Sequence, residues 1–154
     1  MKKLIKFLKE AHKGQKYNGK DYFDYHLMGV GEMAVDKAIY AGLDTGIAFA
    51  LALSHDVWED NPDYVMDNQS VLVEALCEIV GNKRYYSLMT DIFILSKTED
   101  ESYYDYIKRL KGEYVLIVKE ADLEFNLQQS NWSNFPKHEL YKFALDIIRM
   151  KRIL

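Results

Sequence analysis

"EYVLIVKEADLEFNL", residues 113–127, is the stretch on which the fold class turns. Its centre, VLIV at 115–118, has the β-branched composition of a buried strand. The run continues into KEADLEFNL, and that continuation predicts one long helix instead. With it read as helix, no convincing alternating strand longer than a few residues remains anywhere in the chain.

Outward from this segment, helical periodicity dominates. Towards the N-terminus, "SYYDYIKRLKG" at 102–112 and "YYSLMTDIFILSK" at 85–97 are helical by pattern. A helix is predicted over about 70–80, closed by Gly81 and Asn82. A nearly all-round apolar helix, capped by Asp44 or Thr45, is expected to end near Trp58, with Pro62 helping to stop it. Another covers about 25–41 and ends at Gly42, and the first runs to about His12, with Gly14 as its stop. "KYNGKDYFDY" at 16–25 reads as a polar, aromatic loop. After residue 127 a loop carrying "SNWSNFP" (130–136) leads to an amphipathic helix from about 137. The reading is a single all-α domain, residues 1–154, a bundle of six to eight helices.

Composition limits the function. Of 154 residues, 49% are hydrophobic and 29% charged, a globular balance. A net charge of -4 argues against a protein whose main partner is nucleic acid, yet leaves room for a small phosphate-bearing substrate met by a local group of lysines. One cysteine, Cys77, excludes a disulfide framework, and a reducing cytoplasm is the simplest setting. The opening lysines resemble a signal peptide, but Lys6, Lys9 and Glu10 interrupt any apolar core. Leu4, Ile5, Leu8 and Ala11 fit one helix face that docks into the protein rather than onto a membrane. The uncharged run 45–54 is too short to span a bilayer.

The chemistry gathers at "LALSHDVWED", residues 51–60, where His55, Asp56, Glu59 and Asp60 follow an apolar run. Charged groups there are costly unless something pairs with them. On a continuous helix His55 and Glu59, and Asp56 and Asp60, each share a face. Adjacent His55 and Asp56 can reach one point beside it, and an imidazole with a carboxylate suits a divalent metal. The chain has four histidines in all. His26 opens the second helix, and Asp122 and Asn126 lie one turn apart on 113–127. Two histidines and two aspartates from three helices make a mononuclear site with room for water. Single residues have plainer readings: a core histidine at His26, a His55–Asp56 ion pair, an Asp122–Lys119 pair. The ion pair leaves Glu59 and Asp60 as further uncompensated charge.

"HDVWED", an upstream histidine and the late K-x-x-D-x-x-x-N together resemble the HD-domain metal-dependent phosphohydrolases. Within that superfamily, "AHKGQKYNGKDYFDYHLMGV" (11–30) is similar to the opening of the RelA/SpoT-type (p)ppGpp hydrolase domain, and "VKEADLEFNL" (118–127) to its "VKLADRxxN" segment. The three motifs come in family order over about 12–127. The resemblance implies an HD-type helical bundle binding one divalent ion, Mn(II), through His26, His55, Asp56 and Asp122. It implies that Glu59 and Asp60 position and activate the attacking water, that Asn126 lies near the substrate, and that pyrophosphate leaves the 3′ position of (p)ppGpp or a related nucleotide. The departures fall on the substrate side: Tyr17 and Asn18 stand near the place of a phosphate-binding arginine, Leu27 replaces a proline, and "LEFN" lacks an arginine.

Lys97 and Lys16, with Lys20, are candidate phosphate contacts. Most of the twelve tyrosines are expected to pack their rings in the core. Tyr103, Tyr104 and Tyr106 are exceptions because the corresponding segment of the resembled family runs beside the site, and Tyr104 is taken as a substrate contact. His12 either touches substrate or ends the first helix by bonding a carbonyl, and His138 is expected to be solvated surface. The alternatives are a phosphomonoesterase or phosphodiesterase acting on another nucleotide, and a non-catalytic module binding a nucleotide or a partner.

Overall fold

A computed structural model of the protein describes residues 1–130 and 136–154, together with the backbone alone at 135. The chain is all-α. Among the described residues, eight helices have seven residues or more: α1 (Lys2–Ala11), α2 (Met28–Ala41), α3 (Thr45–Ser54), α6 (Gln69–Val80), α7 (Tyr85–Leu95), α8 (Tyr103–Arg109), α9 (Glu113–Gln129) and α10 (Phe135–Ile153). Two short ones, α4 (Val57–Asp60) and α5 (Pro62–Asp67), follow α3. Residues 131–134 of the loop expected at 130–136 lie outside the described residues.

The centre is made by α3 and α9. On α3 Ala48, Ala50, Leu51, Ala52, Leu53 and Ser54 are buried. Asp44 starts it by accepting from the amides of Gly46 (2.8 Å) and Ile47 (3.1 Å), two of the donors that a helix start leaves unpaired. On α9 every residue from 115 to 123 is buried, so VLIV is helical and surrounded on all sides. α2 packs on both helices, α10 lies along α9, and α1 with α6 covers the other side of α3. Nearly all of the buried apolar residues form one continuous cluster. No helix among the described residues is long and apolar enough to cross a membrane.

Three local features differ from the sequence expectation. Within the 16–25 loop, β1 (Lys16–Tyr17) and β2 (Lys20–Asp21) form a two-residue antiparallel hairpin. Asn18 and Gly19, with φ of 49° and 81°, make the left-handed corner that an Asn-Gly pair favours. A π-helical turn, Tyr22–Leu27, then leads into α2 and carries His26. The apolar helix ends at Ser54 rather than near Trp58, because His55 Nδ1 bonds the carbonyl oxygen of Ala52 at 2.7 Å. In an uninterrupted helix that oxygen takes the amide of Asp56. Pro62 occupies the first turn of α5, where its missing N–H costs nothing, so it opens a helix as well as following one.

Candidate metal centre

The three elements that carry the sequence motifs converge. The π-helical turn brings His26, the break after α3 brings His55 and Asp56, and the middle of α9 brings Asp122. His26 Nε2 lies 3.5 Å from Asp56 Oδ2 and 3.5 Å from Asp122 Oδ1. His55 Nε2 lies 2.9 Å from Asp56 Oδ2 and 3.5 Å from Asp122 Oδ1. Donor atoms held at about 2.1 Å from one ion sit about 3.0–3.4 Å apart, so most of these separations are close to a shared coordination sphere. His26, His55 and Asp56 form a group whose ligand atoms all lie within 4.8 Å of one another.

The donor types suit a divalent cation. A backbone carbonyl only accepts, so His55 Nδ1 must carry the proton in its bond to Ala52, and in the neutral ring the lone pair lies on Nε2. That Nε2 is buried and makes no well-aligned hydrogen bond among the described residues, although Asp56 Oδ2 lies only 2.9 Å away. A buried nitrogen facing carboxylates without a well-formed hydrogen bond suits a ligand-binding imidazole. His26 is 2% exposed and stacks on Tyr17, the rings 4.7 Å apart and 10° from parallel, while Phe125 meets it edge-on at 5.2 Å.

The two carboxylates are held from outside. Tyr22 donates its hydroxyl to Asp56 Oδ2 at 2.5 Å. Lys119 Nζ bonds Asp122 Oδ2 at 2.8 Å, and Asn126 Nδ2 donates to Asp122 Oδ1 at 2.7 Å. The plain Asp122–Lys119 pair therefore exists, but it takes one oxygen and leaves the other facing the histidines.

Electrostatics follow from this crowding. Burial alone pushes the His55 imidazole down, yet Asp56 and Asp122 outweigh it and hold its pKa well above the usual value. Burial likewise pushes Asp56 and Asp122 up, and they are nonetheless held below the ordinary carboxylate range, Asp56 by the histidines and Asp122 by Lys119 and His55. A field that stabilises a proton between the donors also favours a metal cation there.

A cleft of about 340 Å³ opens over these groups. Glu59 and Asp60 stand at its edge. Glu59 Oε2 accepts from the amide of Lys97 at 2.8 Å, and Asp60 Oδ2 accepts from Gln15 Nε2 at 2.8 Å. Burial raises the pKa of both, opposed at Glu59 by the Lys97 amide and assisted at Asp60 by Asp56. Gln15 is held in turn by His12: its Oε1 lies 2.8 Å from His12 Nδ1. The carbonyl partner of His12 thus belongs to a side chain.

Of the proposed substrate contacts, Lys97 and Asn126 line the cleft. Asn126 has both ends of its amide engaged, because its Oδ1 accepts from Tyr17 at 2.7 Å. Tyr103 and Tyr106 also line the cleft, and the Tyr103 hydroxyl is buried without a partner among the described residues. Tyr104 lies apart from it, half exposed and stacked on Phe143 with ring centroids 6.3 Å apart. Lys16 is exposed on the hairpin and is not among the lining residues. His138 is partly buried beside Ser130 Oγ, at 2.7 Å, rather than solvated.

Lys119, Lys137 and Tyr141 complete the lining and were not singled out as substrate-facing groups by the sequence. The signal for Lys119 was its place one turn before Asp122. Lys137 and Tyr141, four residues apart on α10, carried no signal tying them to the site. Compared with family models, curated proteins and solved structures, the chain matches none.

Proposed function

We propose that the chain is a metal-dependent nucleotide phosphohydrolase, with removal of pyrophosphate from the 3′ position of (p)ppGpp as its leading reaction. The observation that carries this reading is the meeting of the Nε2 atoms of His26 and His55 with the carboxylates of Asp56 and Asp122, with Glu59 and Asp60 beside them. His26, His55, Asp56 and Asp122 would hold the ion. When bound, a divalent ion, Mn(II) by the family resemblance, supplies Lewis acidity and lowers the pKa of water.

The remaining work falls to the chain itself. Glu59, anchored by the Lys97 amide and raised in pKa by burial, is placed to accept the proton of the attacking water. Asp60, held by Gln15, fixes the orientation of that water. Lys97 and Lys137 offer positive charge to phosphate oxygens, offsetting the carboxylates that would otherwise repel a polyphosphate. Tyr22 and Lys119 keep Asp56 and Asp122 ionised and aligned. The bond between phosphorus and the ribose oxygen breaks, a proton goes to that oxygen, and GDP and pyrophosphate are the products when ppGpp is the substrate.

The test is product analysis after incubating metal-stripped protein, with and without Mn(II), with ppGpp, pppGpp, their adenosine counterparts, nucleoside triphosphates and monophosphates, and cyclic dinucleotides. Pyrophosphate released from ppGpp only with metal supports the reading. Metal-dependent cleavage of a different nucleotide keeps the chemistry and replaces the substrate. No cleavage anywhere on the panel overturns the enzymatic reading in favour of a binding module. Glu59→Gln should abolish turnover and leave metal binding intact.

A further inference from the structure

Next to the metal-site cleft lies a second groove, of about 500 Å³, lined by Trp58, Pro62, Phe93 and Ile94 along its apolar part. The two cavities share Glu59 and Lys97, so they adjoin at the proposed catalytic carboxylate. Trp58 immediately precedes Glu59 on α4, and Phe93 faces it from α7 with ring centroids 4.4 Å apart and the planes 47° from parallel. Phe93 is 48% exposed and Trp58 is partly exposed. Single exposed apolar side chains are ordinary, but a pair of large rings meeting in a groove that adjoins a polar cleft is a concentrated apolar surface.

We propose that Trp58 and Phe93 form a shelf that stacks the base of the substrate nucleotide while its phosphates lie in the metal-site cleft. The proposal rests on the phosphohydrolase reading for the phosphate end and adds where the other half of the substrate goes. The metal-site cleft is lined by carboxylates, lysines and tyrosines, whereas the second groove, although Glu59, Glu99 and Glu101 also line it, has its larger apolar surface at Trp58, Pro62, Phe93 and Ile94. Lys97 lines both cavities and so stands where they adjoin, its Nζ bonded to Thr98 O at 2.9 Å. Arg109, which also lines this groove, is already committed to Glu101 and to the carbonyls of Ile94 and Ser96. Stacking on aromatic side chains needs only the π-face common to all bases, so the shelf gives affinity and leaves the choice among bases to groups at the rim.

The chain has two tryptophans, Trp58 and Trp132, which makes fluorescence a direct probe. The full-length protein, with Mn(II) and again without it, is titrated with guanosine 5′-monophosphate and, separately, with inorganic pyrophosphate. Saturable quenching by the nucleotide but not by pyrophosphate is expected, absent in Trp58→Phe and weakened about ten-fold in Phe93→Ala. For whichever nucleotide the protein cleaves, Phe93→Ala should raise KM about ten-fold with kcat little changed. Quenching with these variant effects supports the shelf even if no nucleotide is cleaved, in which case the phosphohydrolase reading alone fails. Turnover with no quenching and an unchanged KM in Phe93→Ala overturns the shelf and leaves the hydrolase standing. Quenching that survives in Trp58→Phe, or is unaltered by Phe93→Ala, also overturns it.

Discussion

His55 Nδ1 donates to the carbonyl oxygen of Ala52 at 2.7 Å, and this one bond both ends α3 and fixes which nitrogen of the imidazole faces Asp56 and Asp122. The helix break and the site are therefore the same feature. Removing a partner that merely orients a ligand costs about 10–100-fold in metal affinity, so removing the ligand itself should cost at least that. His55→Ala is expected to weaken Mn(II) binding by about 100-fold or more, read by calorimetry or by metal content after gel filtration. Because the side chain is buried, a circular dichroism spectrum must show the helices intact. Unchanged Mn(II) affinity in a folded variant would exclude His55 as a ligand.

Lys119 and Asp122 form a buried ion pair, at 2.8 Å, beside the proposed ion. Burial lowers the lysine pKa, but Asp122 and the tyrosines around it hold the ammonium charged. Breaking a buried pair by deleting one partner costs about 3–5 kcal/mol, since the other charge is left uncompensated. Lys119→Met should lower the stability of metal-free protein by about that amount. A bound divalent ion neutralises the stranded aspartate and no longer meets the lysine's positive charge. The gap in Tm between Mn(II)-loaded and chelator-treated protein should therefore be wider in Lys119→Met than in the parent. An equal or narrower gap would show that Lys119 serves packing alone.

The fold class was legible because helical continuity is local to one segment, whereas the convergence of His26, His55, Asp56 and Asp122 was expected from three motifs that come in the order of the resembled family. VLIV is followed directly by KEADLEFNL, and each candidate ligand sits within a short motif. Contacts that cross between distant segments were less legible. Nothing in the spacing of Lys137 and Tyr141 announces that α10 lies over the cleft, because that depends on how α10 packs along α9. The continuous helix expected through residue 58 failed for a different reason. Periodicity counts side-chain faces, and cannot register a side chain that takes a backbone carbonyl, as His55 does. The Asn18–Gly19 hairpin was readable from its dipeptide, but the surrounding tyrosines and charges made 16–25 look like plain loop.

Glu120, on the face of α9 turned away from the cleft, ties three helices together. Its carboxylate meets Lys37 of α2 (3.3 Å) and both Arg149 (3.5 Å) and Arg152 of α10. Burial pushes its pKa up, but the Arg152 bond and the Lys37 charge leave it below the usual value of 4.5. A carboxylate whose pKa falls on folding contributes stability that is present above its unfolded pKa and is lost as pH drops through its folded pKa. Glu120→Gln should therefore destabilise the protein by about 1–3 kcal/mol near pH 7, where charged hydrogen bonds are lost, and by progressively less once pH falls below about 4.5. Urea unfolding of both proteins across pH 3–8 measures the gap. A constant gap would mean that Glu120 acts through packing and not through its charge.

Gly29 shows how tightly His26 is seated. A Cβ built at Gly29 would lie 2.2 Å from Cε2 of Phe125. The ring cannot retreat, since it is buried and its edges already meet Tyr17, Tyr25 and His26 at 5.8, 5.6 and 5.2 Å. In an open helix, Gly→Ala gains about 1 kcal/mol. Here overpacking, which costs about 1–3 kcal/mol, opposes that gain, and displacement of Phe125 should disturb His26 as well. Gly29→Ala is expected to be destabilising and to weaken Mn(II) binding. Phe125→Leu removes the obstructing ring, so the double variant should be less destabilised than the sum of the two single changes, with a coupling of about 0.5–3 kcal/mol. Thermal melts and Mn(II) titrations of the four proteins decide it. Strict additivity would mean that the chain yields at Gly29 without moving Phe125, and that the close approach is not what orients the histidine.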